Sequence, residues 1–156
     1  MSASKETISA NLNAFLDMIA TSEGTINRGD QDGYNVIVGG TLFEPYTEHP
    51  NVLVDLGHGL KSTAAGRYQL LHKYWLAYRD QLALPDFSPA SQDLIAIQQI
   101  RERHALVGIG AGKFDEAVAA CSNIWASLPG AGYGQHENTL ATLRDAYTGF
   151  GGSLAA

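Results

Sequence analysis

The chain predicts a mostly α-helical α+β fold, five helices with one small β hairpin early in the sequence. Three observations carry this. Apolar residues recur at three- and four-residue spacing over most of the chain. One short run of β-formers is folded on a Gly-Gly pair, and Pro and Gly punctuate the intervals between segments. Of 156 residues, 45% are hydrophobic and 17% charged, the balance of an ordinary globular protein with a core of normal size. With no internal repeat, low-complexity tract or long linker, residues 1–156 read as a single domain, large enough for two lobes.

The elements follow in order. Over 7–23, Ile8, Leu12, Phe15, Leu16 and Ile19 form one helical stripe, and Gly24 is a natural terminator. Over 34–44, Val36-Ile37-Val38 and Thr41-Leu42-Phe43 flank Gly39-Gly40, the pattern of a hairpin. Residues 45–60, with Pro45, Pro50, Gly57 and Gly59, read as a long loop. A second helix is expected over 68–82, with Leu71, Trp75, Tyr78 and Leu82 on one side. Ser88-Pro89 opens a third that should end near Arg103. A fourth is expected over 114–126 through Phe114, Val118, Cys121 and Trp125. After a loop at Pro129-Gly130-Ala131-Gly132, a fifth spans 137–147, and the Gly-rich end is expected to fray.

Charge and cysteine content exclude several classes. The net charge is −6, from 10 Lys+Arg against 16 Asp+Glu, with no basic run. Nucleic-acid binding and attraction to an anionic membrane both need clustered cations, so neither is expected. A partner should be recognised by shape and hydrogen bonding. The single cysteine, Cys121, permits no internal disulfide and reads as a buried structural thiol. Met1-Ser2-Ala3-Ser4-Lys5-Glu6 lacks a secretory h-region and no run reaches membrane-span length, so synthesis in the cytoplasm is expected.

Glu23 is the most informative acid. At about 100° per residue, with Leu12 at zero, Leu16 falls at about 40°, Ile19 at about 340° and Glu23 at about 20°. Glu23 therefore lies in the apolar stripe at the negative end of the helix dipole. Lost hydration and the dipole would both raise its pKa, as a general acid at neutral pH requires. The alternative is a surface glutamate at a frayed helix end. Tyr68, Tyr74, Trp75 and Tyr78 could offer stacking faces for sugar rings, although core packing suits Trp75 and Tyr78 better. Tyr133, among Gly130, Gly132 and Gly134, has few packing neighbours in sequence and suits ligand contact, or folds back over Trp125.

Other motifs fail on inspection. Gly108-Ile109-Gly110-Ala111-Gly112-Lys113 resembles a phosphate loop, but Val107 and Phe114 occupy positions that need Gly and Ser or Thr. It reads as a loop leading into a helix. His49, His58, His72, His104 and His136 form no metal-type pair, so no metal or other cofactor is expected. No Gly-x-Ser-x-Gly elbow supports a serine nucleophile.

Four stretches resemble the lambda-type phage endolysins. They are Ala14-Phe15-Leu16-Asp17-Met18-Ile19-Ala20-Thr21-Ser22-Glu23-Gly24-Thr25, Gly33-Tyr34-Asn35-Val36-Ile37-Val38-Gly39-Gly40, and Lys61-Ser62-Thr63-Ala64-Ala65-Gly66-Arg67-Tyr68-Gln69-Leu70-Leu71. The fourth and strongest runs from Cys121 through Trp125-Ala126-Ser127-Leu128-Pro129-Gly130-Ala131-Gly132-Tyr133-Gly134-Gln135. The likeness is collinear from about Asn13 to about Tyr147. It implies a lysozyme-like fold of two lobes with a cleft between them. It implies a peptidoglycan lytic transglycosylase, which cleaves the β-1,4 bond between N-acetylmuramic acid and N-acetylglucosamine and leaves a 1,6-anhydro ring. Glu23 would be its acid and then its base. Tyr68, Gln69, Tyr133 and Gln135 would contact the glycan. The partner would be the glycan strand, met by a monomer that reaches the periplasm once a holin has opened the inner membrane. A hydrolytic muramidase and a non-catalytic wall-binding protein are the rival readings. Asp30, Asp32, Glu44 and Asp55 are the carboxylates a hydrolase would draw on, and none has a setting that marks it.

Overall fold

The computed structural model describes residues 4–132 and 136–156. Among these residues, six helices and one two-stranded sheet run in the order α1 (Lys5–Glu23), β1 (Val54–Asp55), β2 (Lys61–Ser62), α2 (His72–Leu82), α3 (Pro89–Glu102), α4 (Leu106–Gly110), α5 (Phe114–Cys121) and α6 (Leu140–Gly149). The chain divides into two compact units. One comprises Met1–Ser22 and Ile97–Ala156, the other Glu23–Ala96.

The stripe read from the sequence is what buries α1 in the first unit. Phe15, Met18 and Ile19 are all inaccessible to solvent, as are Ile100 of α3, Cys121 and Tyr147. Phe114 links them, edge-on to Phe15 at 6.0 Å and stacked on Tyr147 at 4.6 Å. Burial pushes the Cys121 thiol up to about 12, so it is an inert core group. Asn11 is buried on the same helix. Its amide donates to Ile109 and Gly110 carbonyls, and its oxygen accepts from the Ser153 N–H and hydroxyl. Ala155 N–H donates to Gly112 O. The Gly-rich end, expected to fray, is therefore held by hydrogen bonds. The glycines of the apparent phosphate loop have structural reasons. Gly110 lets Ile8 approach, and Gly112, at φ +80°, sits where a Cβ would lie 2.5 Å from Ala155 N. Gly108 and Gly110 lie in α4, a helix the sequence reading leaves out.

In the second unit Leu70, Trp75, Phe87 and Ile95 form the core, with Phe43, Tyr78, Leu82 and Leu84 packed around it. His49 is buried beside Phe87 and bonds the Leu70 carbonyl through Nε2 at 2.7 Å. The β structure departs from expectation in position. The 34–44 segment turns on Gly39-Gly40 as expected, with Val36 bridging Leu42, Ile37 N–H donating to Thr41 O and Phe43 N–H to Asn35 O. Ile37 also bridges Ala65, and Val38 N–H donates to Ala64 O. The sheet proper pairs Val54 with Ser62 and Asp55 with Lys61, antiparallel, where a loop was expected. Two helices are also shorter than expected. The tight turn between Ala65 and Leu70, bonded in both directions, delays α2 to His72. α5 stops at Cys121, and Trp125 is buried from the turn beyond it. α6 begins at Leu140 because Thr139 caps it, its side chain accepting from Thr142 N–H.

Candidate active site

Glu23 closes α1, and the last residues before it on the stripe, Phe15, Leu16 and Ile19, are buried, whereas Ile8 is exposed. Gly24 follows at φ +77°, a left-handed conformation that ends the helix without strain. The Glu23 carboxyl faces a cavity of about 290 Å³ that lies within the second unit. Gly24, Thr25 and Arg28 line it beside Glu23, together with residues 36–40 and Gln69. Desolvation pushes the Glu23 pKa up to about 8. Burial accounts for that shift by itself, whereas the sequence reading invoked the helix dipole as well. At neutral pH Glu23 is thus mainly protonated and can give a proton.

The walls are rigidly built. Thr25 hydroxyl donates to Arg67 O at 2.5 Å, and a Cβ on Gly33 would lie 2.4 Å from Thr25 O, so this approach requires glycine. The buried Arg67 guanidinium donates to Asp32 O at 3.1 Å and to its carboxylate at 3.3 Å. It also lies 5.3 Å from the centre of the Tyr34 ring. The same Asp32 carboxylate accepts from Asn27 N–H. Arg67 therefore fastens both ends of the turn that follows Glu23. Gln69 adopts φ +53°, and its amide nitrogen donates to Gly66 O at 2.9 Å and Val36 O at 3.2 Å. That leaves its carbonyl oxygen as the acceptor available to a ligand.

Of the site residues named from sequence, Glu23 and Gln69 share this cavity. Tyr68 is not among its lining residues. It is 5% exposed, and its hydroxyl donates to Asp93 at 2.6 Å, alongside that of Tyr34 at 2.8 Å. Tyr133 and Gln135 lie outside the described residues. Sequence reasoning missed Thr25, Arg28 and residues 36–40 as cavity walls. Their signal was Gly33, Gly39 and Gly40, all at positive φ and marking turns, with Gly33 also marking the close approach to Thr25. Glu23 is the one carboxyl among the described lining residues. Asp30 accepts from the Asn35 amide, Asp32 is paired with Arg67, and Asp55 accepts from Gly57 N–H.

Comparison with known proteins gives one consistent result. A family model described as Endolysin matches residues 13–154. The chain is 56% identical over 144 residues to the endolysin of Escherichia phage lambda, covering 90% of this chain and 91% of that protein. It is 52% identical over 154 residues to the endolysin of Escherichia phage P2, covering 91% and 93%. Among solved structures it is similar to a bacteriophage lambda lysozyme complexed with a chitohexasaccharide. The TM-score is 0.91 and the identity 55%, over 93% of this chain and 96% of that one. A second structure, lysozyme from bacteriophage lambda, gives a TM-score of 0.87 at 53% identity, with the same coverage.

Proposed function

This chain belongs to the endolysin family, and from that membership we propose that it cuts peptidoglycan glycan strands as a lytic transglycosylase. The bond broken is the β-1,4 link from C1 of N-acetylmuramic acid to N-acetylglucosamine. The observation that carries the finer assignment is that Glu23, its pKa raised by desolvation, is the one carboxyl among the described residues lining the cavity. A hydrolase ordinarily needs a second carboxylate, as nucleophile or to activate water. Here Asp30, Asp32 and Asp55 are engaged in structural hydrogen bonds, and Glu44 is exposed and does not line the cavity.

Glu23 gives its proton to the bridging oxygen as the C1–O bond breaks, and the glucosamine leaves as an alcohol. Positive charge develops at C1. The muramic acid's own C6 hydroxyl then attacks C1, and its proton passes to the Glu23 carboxylate. The acid is restored, a 1,6-anhydro ring closes, and no water is consumed. One group serves as acid and then base, which a pKa near the working pH favours. Gln69, fixed by its two backbone bonds, would orient the sugar so that C6 lies over C1. The chitohexasaccharide held by the lambda lysozyme supports a site of glycan shape.

Digestion of purified peptidoglycan, followed by mass spectrometry, tests this. The expected fragments are lighter by one water than a muramidase's and resist borohydride at the new end. Reducible ends would make the enzyme a hydrolase. Absence of any release would make it a wall-binding protein.

A further inference from the structure

We infer that Asn138 is a positioning residue for Glu23, holding the peptide group from which the acid projects. The inference rests on Glu23 being the acid of the proposed reaction. The last carbonyls of a helix have no intrahelical donor, and α1 ends at Glu23. One of these, Ser22 O, belongs to the peptide bond whose nitrogen is that of Glu23. The Asn138 amide nitrogen lies 3.1 Å from Ser22 O and 3.1 Å from Ser22 Oγ. It thereby supplies, from 116 residues away, the donor that the helix lacks. The Ser22 hydroxyl in turn lies 2.7 Å from that of Ser127.

Asn138 is itself held firmly. Its N–H donates to Ser127 O at 2.8 Å, and its amide nitrogen lies 3.5 Å from the same carbonyl. The next residue, Thr139, caps α6. On the far side of Glu23 stands Gly24, where a Cβ would meet nothing within 4 Å. The acid's backbone is thus restrained on its N-terminal side through Ser22 and, beyond Gly24, through the buried Thr25, whose hydroxyl donates to Arg67 O. Rotation of the Ser22–Glu23 peptide would swing the Cα–Cβ bond and carry the carboxyl off line. Alignment within hydrogen-bond reach is what proton transfer to the bridging oxygen demands.

Three variants test this, each checked for folding by its unfolding temperature and assayed for kcat and KM on soluble muropeptide oligomers. Asn138→Ala is expected to lower kcat by about tenfold or more, with KM changed less than about twofold. Asn138→Asp keeps the shape and volume, and at acid pH, where its carboxyl is protonated and can donate, it should fold even if truncation does not. It sets an acceptor against Ser22 O and should be worse than Asn138→Ala near neutral pH. Its deficit should shrink at acid pH, where the introduced carboxyl is protonated and can donate. A space-filling role would reverse that order, with Asn138→Asp the more active, and would overturn the inference. Unchanged kcat in folded Asn138→Ala would overturn it too. Glu23→Gln is run in parallel. If it is inactive while Asn138→Ala is normal, only the positioning role fails. If it is active, the acid assignment fails and the positioning role falls with it.

Discussion

At the residue scale the proposed chemistry turns on how one carboxyl is kept neutral. Ile19 and Glu23 share a helical face, so the burial that fixes α1 also strips water from the acid. Glu23→Gln keeps the size and loses the proton. Its lytic rate should fall by at least about a hundredfold in a folded protein. The same shift makes a stability prediction. Glu23 is raised from 4.5 to about 8, so the folded state holds its proton longer than the unfolded chain does. The contribution is complete below the unfolded value and is lost as pH rises through the folded one. Wild type should therefore lose stability relative to Glu23→Gln between pH 4.5 and about 8. The upper bound is on the order of 5 kcal/mol, less where water reaches the cavity. Denaturant unfolding of both proteins at about pH 5 and about pH 9 measures it. An identical difference at the two pH values would mean that the carboxyl is solvated.

At the element scale the backbone of the 64–70 turn matters more than any strand. Gly66, at φ +85°, sits where a Cβ would lie 2.5 Å from Gln92 Oε1 and 3.1 Å from the Phe87 ring. That Gln92 oxygen accepts from Arg67 N–H, and the Gln92 amide nitrogen donates to Tyr34 O and Phe87 O. Gly66→Ala should cost about 3 kcal/mol or more, through strain and a broken buried network. Gly57→Ala, at φ +86° with nothing within 4 Å, should cost only about 1 kcal/mol. Melting temperatures compare the two, and equal losses would mean that the Gln92 network carries no weight. This network also explains what the sequence concealed. Helix α1 was legible because its apolar spacing is local, and α3 because Ser88-Pro89 marks its start. Val36, Ile37 and Val38 were read as one arm of a hairpin because they are β-formers beside Gly-Gly. They do pair across that turn, but Val36 and Val38 also exchange backbone bonds with residues 64–66, a pairing that no local pattern encodes. Glu23 was legible because its position on the stripe is itself the cause of its pKa. Tyr68 resembled a ligand contact for its aromatic ring, and only the fold supplies Asp93 as its partner.

At the scale of the whole molecule the net charge of −6 sets how the protein meets its substrate. Peptidoglycan carries carboxylates on its peptide stems, so protein and wall repel at long range. Arg28 is the one cation among the described residues lining the cavity, and it acts locally. Repulsion between exposed charges is screened over about 8 Å at physiological ionic strength and reaches about 30 Å at 0.01 M salt. Encounter rates follow that field, whereas proton transfer inside a desolvated cavity does not. Raising salt from about 0.02 M to about 0.2 M should therefore increase kcat/KM several-fold and leave kcat nearly unchanged. A strongly basic wall-lytic protein would show the opposite trend, because screening would weaken its attraction. Initial rates on soluble anhydro-free muropeptide oligomers separate this effect from salt-induced changes in wall swelling. A fall in kcat/KM with salt would mean that Arg28 dominates the approach and the net charge does not. Arg28→Gln would then abolish the salt dependence, whereas under repulsion by the whole surface it should make the rise with salt steeper.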